Sequence, residues 1–115
     1  MAEIPQQLGQ SRPTNTTAVS IYSPSPGERA EILQIVVCNS TATAATFRIF
    51  HDDDGTTYDE TTALYWNRNV NANDTLRIWP QWRPGFAMRN PDGNLAVRSG
   101  TASALTFTVY GIVVS

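Results

Sequence analysis

At 115 residues the chain has room for one domain with a single core and not for two. A net charge of -2 argues against non-specific nucleic-acid binding, and no apolar run approaches the ~20 residues that span a bilayer. A single His (His51), a single Cys (Cys38) and the absence of Lys leave little material for catalysis and exclude an internal disulfide.

Residues 1–16 are polar, carry Pro5 and Pro13 and show no apolar period. They are expected to form an extended N-terminal arm, with the folded domain running from 17 to 115. Without an apolar core, this start is not expected to act as a secretory signal. Residues 18–22 alternate, with Val19 and Ile21 on one face, before the Ser23-Pro24-Ser25-Pro26-Gly27 break. Residues 30–39 are nearly continuous in apolar side chains. Such a short run, rich in β-branched residues, predicts a central strand covered on both faces. Residues 46–51 alternate Phe47 and Ile49 against Thr46 and Arg48, and Asp52-Asp53-Asp54-Gly55 closes them as a turn.

Residues 63–70 carry the large rings of Tyr65 and Trp66. After Asn71-Ala72-Asn73-Asp74, residues 75–79 place Leu76 and Ile78 on one face and Thr75 and Arg77 on the other. Pro80 ends that strand, and a Trp82-Arg83-Pro84-Gly85 loop follows. Residues 86–89 and 94–98 flank the turn Asn90-Pro91-Asp92-Gly93. Residues 104–114 show the cleanest alternation, with Leu105, Phe107, Val109 and Val113 on one face. The pattern amounts to about eight strands and no helix. It predicts an all-β, antiparallel two-sheet β-sandwich, jelly-roll-like in its strand connections.

Cys38 falls in the run Ile35-Val36-Val37-Cys38 and is expected to be a buried, inert thiol. Asp52, Asp54, Asp59 and Glu60 offer oxygen ligands, but with Gly55 as the invariant glycine of a calcium loop the first ligand position falls on Phe50. The loop is therefore expected to be a solvated turn without metal. Adjacent Asp59 and Glu60 point to opposite faces of an extended chain, so they do not make a glycosidase pair. No Ser sits in a nucleophile elbow, and no enzyme activity or cofactor is expected.

Trp66 shares a face with Leu64 and is expected to be buried. Trp79, at a strand end, and Trp82, in a loop, are the expected contacts for a partner, together with Arg12, Arg48, Arg77 and Arg83. The same arginines also suit the ordinary wet face of a sheet. The sequons at Asn15, Asn39 and Asn73 carry no glycosylation argument in a chain this rich in Asn and Thr.

The stretches LGQSRP, VVCNSTATAATFRIF, HDDDGTTYDETTALYWNRNVNANDT and the closing LTFTVYGIVVS resemble a family of small structural proteins from the virions of tailed bacteriophages. HDDDGTTYDE with the following ALYW is the most specific part, and residues 78–99 take no part in the likeness. The resemblance implies a single β-sandwich that assembles on the particle, commonly as a trimer, with no catalytic motif. The likeness is common to head and tail components of the particle, and the first reading is a head-decoration (cement) protein bridging capsid subunits. A tail, baseplate or fibre module is the alternative within the same virion. From the residues alone, a carbohydrate-binding module using Trp79 and Trp82 is a third reading. The partners so implied are further copies of the chain and the major capsid protein or tail proteins, not nucleic acid or membrane. The place implied is the virion, after synthesis in the host bacterial cytoplasm.

Overall fold

The computed structural model describes residues 5–78, 86–88 and 93–114. Among them the chain forms only strands: β1 (Pro5–Ser11), β2 (Val19–Tyr22), β3 (Arg29–Asn39), β4 (Ala45–Asp52), β5 (Ala63–Val70), β6 (Thr75–Ile78), β7 (Phe86–Met88), β8 (Asn94–Ser99) and β9 (Leu105–Val114). One sheet has the order β1-β9-β3-β6, with β7 also pairing β3, and the other has the order β2-β8-β4-β5. Every pairing is antiparallel.

Setting β7 aside, β1 pairs β9, β2 pairs β8, β3 pairs β6 and β4 pairs β5. The chain is thus one long hairpin, its first strand against its last, rolled so that, apart from the β4–β5 pair at its tip, successive strands fall in opposite sheets. That is the jelly-roll connection, and the two-sheet sandwich expected from the alternation is the fold observed.

The inner faces meet in a core of Ile32, Ile35, Val37, Phe47, Ile49, Leu95, Val97, Leu105, Phe107 and Val109, each at most 2% exposed. Strand β9 turns Leu105, Phe107 and Val109 inward, as its alternation predicts. Strand β3 is central, between β9 and β6, but only one of its faces is fully buried. Leu33, Val36 and Cys38 on the outer side are half-buried, so the Cys38 thiol is not a core group. The apolar run looks continuous because the register against β9 slips between Ile32 and Gln34, and that bulge breaks the alternation.

The expected arm needs correcting. Residues 5–11 are not a free segment but strand β1, hydrogen-bonded along the edge beside β9, so the sandwich begins at Pro5 rather than at 17. An edge strand with one wet face is held by its ladder and needs few apolar side chains. Only Leu8 reaches the core, and Gly9 passes so close to the Ile21 carbonyl oxygen that a Cβ would collide with it. The next residues are tied down as well. Ser103 N donates to Pro13 O at 2.9 Å and Arg98 Nε to Thr16 O at 2.7 Å. The eight jelly-roll strands therefore include β1, which has no apolar signature, while β7, one of the eight expected, is an extra three-residue strand.

Candidate functional site

The surface with the most distinctive chemistry lies on β4, β5 and the loop between them. Phe47 and Ile49 face the core, so the pleat turns Arg48 and Phe50 outward. Phe50 is nevertheless only 2% exposed. Trp66 of β5 meets it edge-on, with ring centroids 6.2 Å apart, and Tyr58 of the loop packs on it at 6.1 Å. The aromatic cluster forms a small second core outside the sandwich.

The acidic loop is folded back over the sheet by its own side chains. Asp52, largely buried, accepts from Asp54 N at 3.1 Å and from Thr57 N at 2.8 Å. Asp59 accepts from the amide of Thr61 at 2.9 Å and from its hydroxyl at 2.5 Å. Thr62 Oγ1 donates to Thr57 O, His51 N donates to Thr62 O, and Asn94 Nδ2 donates to Gly55 O. These donors stabilise the ionised acids. Amide bonds from Thr57 and then Asp54 hold the Asp52 carboxyl below the usual carboxylate range, and the Thr61 hydroxyl and amide do the same for Asp59. Asp54 is pushed the other way by its hydrogen bond to Asp52 and by that group's charge.

The loop is thus less solvated than expected, since Asp52 is a structural acceptor with both oxygens taken by loop amides. No group of three or more His, Cys, Asp or Glu side chains among the described residues could hold a metal ion.

Beside this loop the surface turns apolar. Leu64 is 47% exposed and Trp66 42%. The burial expected for Trp66 is therefore wrong. Strand β5 lies at a sheet edge, its register against β4 slips at two places, and Asn67 sits at a φ of 53°. These irregularities send Tyr65 inward onto Phe47, ring centroids 6.0 Å apart, and leave Leu64 and Trp66 outside. An open hollow of about 260 Å³ lies here, lined by Glu60, Ala63 and Trp66.

Of the arginines expected at an interface and among the described residues, only Arg48 belongs to this surface. Its guanidinium stacks over the Trp66 ring at 3.6 Å and its Nε donates to Asn67 Oδ1 at 2.7 Å. Arg12 is exposed at the far side of the fold, and its Nε and Nη2 both donate to Ser103 O, at 3.1 and 2.6 Å. That clamp ties the residues after β1 to the β8–β9 turn. Arg77 is exposed on β6, in the opposite sheet from Arg48. Trp79, Trp82 and Arg83 lie outside the described residues.

The expected set is therefore not one site. The surface that does form uses Glu60, Ala63, Leu64 and Trp66, none of them in the set expected to contact a partner. The one legible signal was Asn67-Arg68-Asn69 after the aromatic pair, a polar run that fits an edge strand better than a buried one. A scan against protein-family models and a search of curated proteins find no match to the chain.

Proposed function

We propose that the chain is a non-enzymatic structural protein of a tailed-bacteriophage virion, acting as a decoration protein that bridges and stabilises capsid subunits. The observation that carries this reading is the exposure of Leu64 and Trp66 together on the open edge of a jelly roll. Large apolar side chains on a sheet edge favour contact with another chain. The stretch with the most specific likeness to virion proteins, residues 51–66, is also the stretch that builds this surface. A rigid sandwich whose distinctive chemistry is a contact patch suits a bridging role: it adds buried area between subunits and needs no reaction.

The carbohydrate-module reading has weaker support. Its rings, Trp79 and Trp82, lie outside the described residues, and Arg48 already covers one face of Trp66, where a sugar ring would stack.

Quantitative mass spectrometry of purified particles tests the proposal. A decoration protein is expected at a copy number of the same order as the major capsid protein. A copy number a small fraction of that moves the chain to the tail. Absence from particles overturns the virion reading.

A further inference from the structure

We infer that the hollow beside β5 receives a basic side chain of a partner protein, a lysine or arginine flanked by apolar residues. Negative charge is concentrated here. Residues 51–66 hold five of the chain's ten acids and no arginine or lysine. Most of those acids are engaged within the loop. Asp52 and Asp59 accept loop amides, Asp54 is hydrogen-bonded to Asp52, and Asp53 lies 3.6 Å from the His51 ring. Glu60 differs: it is exposed and makes no hydrogen bond or ion pair among the described residues. It is also the acid that lines the hollow.

The other lining residues fit the stem behind a charged head. Lysine and arginine lay their methylenes along apolar surface and keep the head in a polar setting. Ala63 and the Trp66 ring supply that surface, and Glu60 supplies the counter-charge. Arg48, stacked over the Trp66 ring and bonded to Asn67, makes no ion pair with Glu60, so the carboxylate is left for a cation from outside the chain. The hollow is open, and a small free cation in it would keep most of its contact with water. A ligand held here needs a second point of attachment. Leu64 follows Ala63 on the strand and, 47% exposed, offers an apolar contact to residues beside the basic one. A charged anchor with apolar neighbours on one segment is what a protein partner brings to such a surface.

The inference goes beyond the decoration reading and concerns the chain by itself. It is tested on the isotope-labelled full chain by NMR titration with the peptide acetyl-Leu-Lys-Leu-amide and with its norleucine and glutamate counterparts at the central position. The lysine peptide is expected to give saturable shifts at the Trp66 indole and the Leu64 methyls, in the millimolar range and weaker at high salt. Glu60→Gln should weaken it about threefold, as for a solvent-exposed ion pair. Glu60→Lys should reverse the preference, so that the glutamate peptide binds better than the lysine peptide. Leu64→Ser should weaken every peptide. Equal binding of the norleucine and lysine peptides overturns the inference. So does an affinity indifferent to Glu60→Gln, a shift pattern centred on Asp53 and Asp54 instead of Trp66 and Leu64, or no saturation by about 10 millimolar peptide. Copy number in particles is scored separately, so failure of the hollow to take a basic side chain and failure of the virion reading are distinct results.

Discussion

At the scale of single residues, the side chains that hold this fold are those with no alternative partner. Phe107 is fully buried and meets Phe47 edge-on, ring centroids 6.0 Å apart at 78°. Phe107→Ala removes that contact and opens a cavity between the sheets, and is expected to cost about 3–5 kcal/mol in chemical denaturation. Thr106→Ala, at a half-buried position, should be nearly silent. Thr108 differs, because it is only 7% exposed and accepts from Gln10 Nε2 at 3.1 Å across to β1. Its replacement by Ala should cost about 1 kcal/mol in the same assay. Alternation placed both threonines on the outer face, but the cover from β1 was not legible, because β1 has no apolar pattern. Asn39, the polar end of the apolar run, is 1% exposed. Its Nδ2 donates to Thr43 O and Val70 O, and its Oδ1 accepts from the amide and hydroxyl of Thr41. The sequon at Asn39 is thereby enclosed in the folded chain.

At the scale of elements, two segments behave differently from their composition. Strand β1 looks like a solvated arm but completes a sheet edge and brings Leu8 to the core. Deleting residues 1–11 is expected to lower the melting temperature of the domain, with β9 becoming an exposed edge prone to association. An unchanged melting temperature would mean that the ladder to β9 contributes little.

The β4–β5 loop looks like a loose acidic tip but is an ordered knot of amide-to-carboxylate bonds. The Asp52 and Asp59 carboxyls are held below their ordinary value of 3.8 in the folded chain. Their contribution is therefore fully present above that pH and is lost as the pH falls through their lowered values. The raised Asp54 acts in the opposite sense, taking up its proton earlier in the folded state. Acidification below pH 3.8 should disorder the Thr57 and Thr61 amides before the core unfolds, as read by NMR. Asp52→Asn should flatten that response at Thr57.

At the scale of the whole molecule, the connection of first strand to last sets the folding problem. β1 cannot pair until β9 has been made, and β2 waits for β8. Closing such long loops before their contacts form slows folding, and refolding from denaturant is expected in the millisecond-to-second range typical of all-β sandwiches. Stopped-flow fluorescence of the tryptophans checks it, and a microsecond phase carrying the full amplitude would contradict it.

The strand content, the antiparallel alternation and the inward set Phe47, Ile49, Leu105, Phe107 and Val109 were determined by the sequence alone. A side chain that must leave water imposes a period of two on its strand, and that period is visible without coordinates. Tertiary structure decided what that period does not encode. Strand β1 is held by main-chain bonds to β9, which any residue but proline can donate. The facing of Leu64 and Trp66 depends on two register slips against β4, and a slip of one residue exchanges inside for outside. The patch they form, with Glu60 and Ala63 beside it, exists only once the strand lies at an edge.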